Sequence, residues 1–380
     1  MDFSLSKEQE LLRAALAGFL GARYDLELSR KAAKGGAGWQ PEVWRGFADE
    51  LGILGATLPE DVDGMGGGPV ELMVIAEELG RALVVEPFID TVVVGAGLLR
   101  RAGGAEDTLR QIVSGAVRTA FAALEPSSGH TLHDVSTTAR RDGDDWILDG
   151  TKIVVTSAPI ATHLIISART AGARRDQDGI SLFHLAFDPA DPPAGVELHA
   201  YRTIDDRPAA DLVFTGFRLP GTALLGAEGA GWAAIEPTVD EAIAATCAEA
   251  VGAMSKVLAD TVEYTKQRQQ FGVPISSFQA LQHRMVDMHM ELEQAIAATY
   301  LVIYSLHAGP AARARAASAA KVTIARAARF LGQNAVQLHG AMGMTEELAI
   351  GHYFKRLTAI ESEYGTTDAH LTRYAALTRA

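Results

Sequence analysis

Apolar residues recur along this chain with two different periods, and the switch between them divides it. Leu11, Leu12, Ala15, Leu16, Phe19 and Leu20 share one face at the helical period, and Ser6 and Gln9 just ahead of them have capping-box spacing. The pattern therefore predicts a helix at the start of the chain. "PEVWRGFADELG", with Pro41 at an allowed first-turn position, and "GPVELMVIAEELGRAL", after the loop "DVDGMGGG", predict further helices. Near Phe121 the period shortens. The runs "DDWILDG", "TKIVVTSA", "HLIISART", "GISLFHLAF", "GVELHAY" and "ADLVFTGFRL" are separated by Gly, Pro and Asp turns at roughly ten-residue spacing, which predicts an antiparallel sheet or barrel. From about Gly229 long Ala-rich helices return, broken at "FGVPIS", "HAGP" and "HGAMGM". The resulting expectation is an α+β protein: a helical domain over residues 1–118, a central antiparallel β domain over 119–228 and a helical bundle over 229–380.

Composition narrows the function classes. A chain of 380 residues has interior enough for a large buried cofactor, and a net charge of -13 argues against nucleic acid or an anionic membrane as the main partner. Cys247 is the single cysteine, so no internal disulfide framework and no common zinc arrangement is available; no metal site is expected. "MDFSLSKEQE" has neither a basic n-region nor an apolar h-region, and the sequence is read as holding no stretch that spans a bilayer, which leads to the expectation of a cytoplasmic protein. No repeat of about 20–50 residues is evident. "GMGGG" and "GAMGM" neither follow a strand nor open a phosphate-binding helix, so a Rossmann domain is not expected.

Candidate chemistry concentrates in two stretches. In "YTKQRQQFGVPISSFQALQHRMVDM", Tyr264 and Arg268 share a helix face, Gly272 and Pro274 stop that helix, and Ser276 with Gln279 is expected to cap the next. Arg268 followed by Phe271 suits a diphosphate with an adjacent ring, although an Arg at a helix C-terminus is also what the dipole favours. In "IESEYGTTD", Glu361 and Glu363 are either proton carriers or the solvated last turn of a helix stopped at Gly365.

The first stretch resembles the acyl-CoA dehydrogenase family, whose members carry Tyr-x-x-x-Arg-x-x-Phe-Gly-x-Pro-Ile-x-x-Phe-Gln. "FAALEPSSG" is similar to that family's Thr-Glu-Pro-Gly-x-Gly-Ser loop, "WILDGTKIVVTSA" to its Asn-Gly-x-Lys-x-Trp-Ile-Thr-Asn segment, and "AVQLHGAMGMTEE" to its Gln-x-x-Gly-Gly-x-Gly turn. The resemblance implies FAD held between subunits of an oligomer, typically a tetramer. Leu124, Thr156 and Ser157 would face the isoalloxazine ring, largely through backbone groups. Arg268, Phe271, Gln337 and Gly340 would reach the diphosphate and adenosine of a neighbouring subunit's FAD. It also implies α,β-dehydrogenation of an acyl-CoA thioester: a carboxylate removes the pro-R α-proton, the β-hydrogen leaves as hydride to flavin N5, and electrons pass to an electron-transferring flavoprotein.

Several positions depart from the family pattern. Its base lies either just before the C-terminal Gly-Thr, here Tyr364, or on the helix after the β domain, here Ala242, whose customary Arg neighbour is Ile243. Asp240, Glu241 and Glu363 are the nearest carboxylates. Asp240 matches a position near the CoA arm, and Glu241 is offset by one residue, about a quarter turn of helix. Leu124 replaces Thr, Ser127 and Ser128 replace small residues, His130 replaces Ser, and Val154 replaces the Trp beside the flavin. His130 and His133 imitate a metal pair by spacing, but with no further ligand a loop or ribose-facing role is expected. Similar departures occur in heteromeric members, and the chain looks closest to the small subunit of pimeloyl-CoA dehydrogenases; bacterial pairs acting on steroid side chains are also similar. The expectation is an acyl-CoA dehydrogenase polypeptide, acting as a homo-oligomer or with a related subunit. The alternatives are a silent partner that completes the FAD site of a base-carrying subunit, and other flavin chemistry such as oxygen-using oxidation. Tyr364, Gly365 and Thr366 would position substrate and FAD, with the Tyr364 N–H helping to hold the thioester oxygen.

Overall fold

A computed structural model describes residues 3–35 and 38–379. Helices α1 (Lys7–Arg23), α2 (Leu26–Gly35), α3 (Pro41–Asp49) and α4 (Pro69–Arg81) come first, followed by a π-helix (Ile89–Gly95), α5 (Ala96–Ala102) and α6 (Glu106–Val113). Strands β1 (Thr119–Ala122), β2 (Thr138–Asp142), β3 (Asp145–Thr156), β4 (His163–Arg169), β5 (Ile180–Ala186), β6 (Val196–Arg202), β7 (Pro208–Leu219) and β8 (Leu224–Leu225) make one sheet. Helix α7 (Trp232–Gln267) leads to a short hairpin of β9 (Gln269–Gln270) and β10 (Val273–Pro274). Helices α8 (Gln279–Ser305), α9 (Pro310–His339), α10 (Ala349–Ser362) and α11 (Thr367–Arg379) complete the chain.

The helix, sheet, helix order is the one the hydrophobic periods predict. At α1 the capping box closes as expected, with the Ser6 hydroxyl accepting from the Gln9 N–H and the Gln9 side chain accepting from the Ser6 N–H. Other details differ. "DDWILDG" and "TKIVVTSA" form a single strand, β3, bulged on either side of Thr151–Lys152 where its register against β7 shifts. The sheet is mixed, because β1 runs parallel to β4 and one bridge between β2 and β4 is also parallel. Phe278, with no side-chain cap bond, precedes α8, so Ser276 is not its cap; Ser276 instead accepts at its carbonyl from Gln282 Nε2. Helix α7 is long and apolar enough, by length and composition alone, to cross a bilayer, contrary to the expectation; most of its apolar window is buried, as in a core helix.

By packing, the described residues form two compact units. One comprises the residues through Ser29, Gly68–Val84 and those from Ile243 on. In it α9 packs against α8, α10 and α11, and α1 against α4. Gly80 and Gly252 let two helical backbones meet, since a Cβ on either would lie 2.0 Å from the Glu249 carbonyl or 1.8 Å from that of Glu77. The other unit comprises Arg30–Gly67 and Val85–Ala242 and holds the sheet. Its core joins Trp146 and Leu148 of β3, Ile166 of β4, Phe183 of β5 and Leu212 and Phe214 of β7.

Candidate functional site

The β3 segment is positioned by a buried ion pair. Lys152 Nζ lies 2.8 Å from Glu125 Oε1, with both side chains fully buried. Glu125 also accepts from the N–H groups of Ser136 (2.7 Å) and Thr137 (2.9 Å) and from the Ser136 hydroxyl. Burial pushes the Glu125 carboxyl up, but Lys152 and these donors outweigh it and hold it at about 2. Burial pulls Lys152 down to about 8 against the opposing pull of Glu125. Lys152 further donates to the Ala123 carbonyl, and the Leu124 carbonyl accepts from Ile153 N–H at 2.9 Å. Leu124 is thus tied to β3 on both sides.

Beyond Lys152 the strand enters unusual backbone geometry. Val154 has φ +50°, a genuine outlier for a β-branched residue, and its N–H is shared between Asp211 Oδ1 (3.0 Å) and the Tyr201 hydroxyl (3.1 Å). Ser157, at φ +62°, is left-handed too. The hydroxyls of Thr156 and Ser157 both donate to one carboxylate, Asp90, the first at 2.9 Å to Oδ1 and the second to Oδ2. Asp90 sits in the π-helix, whose Val run is a poor α-former and whose type of turn often marks functional sites. The π-helix is pinned to β1: Thr119 Oγ1 donates to the Asp90 carbonyl at 3.1 Å, and Thr119 N–H donates to Thr91 Oγ1 at 3.2 Å.

The carboxylates singled out from sequence are mostly engaged elsewhere. Asp240 is fully buried. Glu241 pairs with Arg101 at 2.6 Å, and Arg101 also donates to Thr238 at 3.2 Å. In the other unit, Glu363 is not a solvated last-turn residue, because it pairs with Arg356, which is itself buried. The Arg356 guanidinium forks onto Glu249 through two 2.8 Å bonds from Nε and Nη2 and reaches Glu363 with Nη1 and Nη2, giving a carboxylate–guanidinium–carboxylate chain. Glu361 pairs with Arg329.

Tyr364 tops the loop that follows. It has φ +54°, and Gly365 has φ +120° and faces His370, whose Nε2 a Cβ would meet at 2.8 Å. His370 Nε2 donates to the Tyr364 carbonyl at 3.0 Å, and Lys321 Nζ to the Gly365 carbonyl at 2.8 Å. The Thr366 hydroxyl accepts from Ala369 N–H at 3.4 Å and so caps α11.

A third group gathers where α7 ends against the end of α9. Tyr264 stacks on His339 with ring centroids 4.2 Å apart and donates to its carbonyl at 3.3 Å. Arg268, one turn beyond Tyr264, is exposed, as are Gln337 and Gly340 beside His339. Arg268 has no ion-pair partner among the described residues. Phe271 and Gly272, with φ +55° and +79°, are the two central residues of the β9–β10 hairpin, a turn that favours Asn or Gly at the first place. Phe271 is 91% exposed there. An unpaired guanidinium, an amide, a glycine and a presented ring are a donor set that fits a dinucleotide diphosphate and its base.

The structure therefore brings Arg268, Phe271, Gln337 and Gly340 to one end of one unit. It brings Leu124, Thr156 and Ser157 together along the second half of β3 in the other. Of the seven non-Gly residues with positive φ among the described residues, four are residues singled out from sequence: Val154, Ser157, Phe271 and Tyr364. The sequence reading missed Asp90, Lys321, Arg356 and Glu249. Only Asp90 left a signal, as a lone acid in the apolar run "FIDTVVVG". The His133 ring packs edge-on against Trp232 at 5.2 Å, and among the described residues no group of three metal-ligating side chains exists.

Comparison with known proteins agrees with the fold and these motifs along the whole chain. Residues 6–114, 120–217 and 229–377 match the N-terminal, middle and C-terminal domains of acyl-CoA dehydrogenase. The chain belongs to the acyl-CoA dehydrogenase family. It is 30% identical to acyl-CoA dehydrogenase FadE12 of Mycobacterium tuberculosis over 100% of this chain and 94% of that protein. The butyryl-CoA dehydrogenase structure from Megasphaera elsdenii superposes with a TM-score of 0.89 at 26% identity, covering 100% of both chains. The FAD complex of PigA superposes at 0.90 with 25% identity, covering 100% of this chain and 99% of that one.

Proposed function

We propose that this protein binds FAD and dehydrogenates an acyl-CoA thioester between Cα and Cβ, passing electrons to an electron-transferring flavoprotein. The observation that carries the reading is the exposed group at Arg268, Phe271, Gln337 and Gly340, a dinucleotide-binding set that faces away from its own unit's core. Bound FAD supplies the acceptor for a hydride equivalent. Leu124, Thr156 and Ser157 would face the ring largely through backbone groups, and Arg268 would neutralise diphosphate charge. The loop at Tyr364, Gly365 and Thr366 aims the Tyr364 N–H at the thioester oxygen, where it stabilises enolate-like charge. Exposed apolar side chains at Phe271 (91%), Met344 (79%), Met290 (57%) and Val286 (55%) support burial of this surface against another subunit. We place the protein in the cytoplasm, acting as a homo-oligomer or with a related subunit.

A second reading is favoured by Ala242 and Tyr364 at the family's two base positions: a partner subunit that completes an FAD site while another chain supplies the base. The experiment purifies the protein alone and co-expressed with a related subunit, adds FAD, and mixes it anaerobically with a panel of acyl-CoAs. Flavin absorption that bleaches on mixing is the expected result. Absence of flavin bands under both conditions overturns the function. Bleaching only in the presence of the second chain selects the partner reading, and peroxide formed without another acceptor selects oxygen-using oxidation.

A further inference from the structure

We infer that Asp90 is the carboxylate that takes the α-proton, an assignment that rests on the proposed dehydrogenation and deepens it. That chemistry needs a carboxylate beside the flavin-facing residues, and the two customary positions hold Ala242 and Tyr364. Four acids near those positions are unsuited: Glu241 is held by Arg101, Glu249 and Glu363 by Arg356, and Asp240 is fully buried. A carboxylate locked to guanidinium has its lone pairs occupied.

Asp90 differs on each count. It is half-buried, and among the described residues no Lys or Arg pairs with it. Its two oxygens each accept one hydroxyl, from Thr156 at 2.9 Å and from Ser157, the residues that the proposed function puts against the isoalloxazine. A carboxylate offers about four lone-pair sites, so each oxygen keeps room for a proton. Two neutral donors fix its orientation without the charge of a guanidinium. The π-helix carrying it is locked to β1 through Thr119, and Gly95 makes that approach possible, since a Cβ there would lie 1.8 Å from Thr119 Oγ1. Asp90 is thus held rigidly against the end of β3.

In the step this assigns, the Cα–H bond breaks and its proton passes to an Asp90 carboxylate oxygen. The released electron pair forms the Cα=Cβ bond, and the hydrogen on Cβ leaves with its own pair to the oxidant, the FAD of the proposed function. Asp90 returns the proton to water after the enoyl product departs.

The test compares the FAD-loaded wild type with Asp90→Asn, Asp90→Glu and Ser157→Ala, each with the related subunit if the wild type requires one. Asp90→Asn is expected to slow flavin reduction by acyl-CoA about 10³-fold, within the usual range for loss of a general base. Removing a negative charge near the ring also moves the flavin midpoint potential in the positive direction, measured with dithionite and no substrate. An easier-to-reduce flavin that the substrate reduces more slowly is a combination that a merely structural role does not produce. Asp90→Glu, which keeps the acid, recovers at least a tenth of the wild-type rate. If Asp90→Asn fails to fold, Ser157→Ala decides: loss of the hydroxyl that orients Oδ2 lowers the rate of flavin reduction at saturating acyl-CoA about tenfold and leaves the half-saturating acyl-CoA concentration unchanged. An Asp90→Asn protein reduced at the wild-type rate overturns the assignment, as does an unchanged rate of flavin reduction in Ser157→Ala. A wild type that no acyl-CoA reduces overturns the dehydrogenase reading itself, which keeps the two failures distinct.

Discussion

The Lys321 ammonium lies 2.8 Å from the Gly365 carbonyl and 3.1 Å from the Glu361 carbonyl, so one fully buried cation on α9 fastens the loop on both sides of Tyr364. His370 secures the Tyr364 carbonyl from α11, and a left-handed tyrosine is held in place by its surroundings.

Lys321→Met removes charged donors from two buried carbonyls. Each such hydrogen bond is worth about 1.5–3 kcal/mol, and a loss of that order in unfolding free energy is expected from urea titration. Amide exchange at residues 364–366 should speed up more than exchange in α8, because the loop loses its anchor before the bundle does.

Arg356→Met leaves Glu249 and Glu363 facing each other with no cation between them. Breaking a buried ion pair from one side costs about 3–5 kcal/mol, so a large fall in stability at neutral pH is expected.

Acid should act on the β unit through Glu125. Its folded value of about 2 lies below the ordinary 4.5, so the unfolded chain binds the proton more readily between those values. The stability it contributes is fully present above about pH 4.5 and is lost as pH falls through about 2. Denaturant titrations over that range should show a slope in the wild type that flattens in Glu125→Gln. At neutral pH the same variant is less stable, since Lys152 loses its counter-charge.

Much of the fold was legible because hydrophobic period is a local property: Leu16 and Leu20 announce α1 four residues apart, and Ser6 with Gln9 marks its start. That Arg268 and Phe271 come together was legible for a related reason, since both lie within one short stretch. The partners of the candidate carboxylates were not. Glu241 and Glu363 stand beside the family's base positions in sequence, but their partners Arg101 and Arg356 are fixed by packing, Arg101 lying 140 residues from Glu241. Asp90 meets Thr156 and Ser157 across 66 and 67 residues, and no periodicity carries that contact. The single bulged strand β3 was divided in the reading because Gly150 looks like a turn; in the sheet it relieves the close approach of Thr137, whose Oγ1 a Cβ would meet at 2.5 Å.

Phe271 offers a direct measure of strain kept for binding. It occupies the first central place of a two-residue hairpin with φ +55°, where an Asn sits without penalty. A left-handed non-Gly residue costs of order 1 kcal/mol, and its ring recovers little of that in the isolated chain, being 91% exposed. Phe271→Asn should therefore raise the stability of the FAD-free protein by about 1 kcal/mol in urea titrations. On the proposed assignment the same change removes a ring that contacts FAD, so FAD affinity should fall by about tenfold, the loss of one aromatic contact of about 1–2 kcal/mol. Arg268→Ala should weaken FAD by a comparable or larger factor with no gain in stability, because its charge-assisted bonds to phosphate carry about 1.5–3 kcal/mol and its backbone is unstrained. Opposite signs for Phe271→Asn in stability and in flavin titration are the expected pair. Equal FAD affinity in Phe271→Asn and the wild type would show that the strained turn serves some other contact.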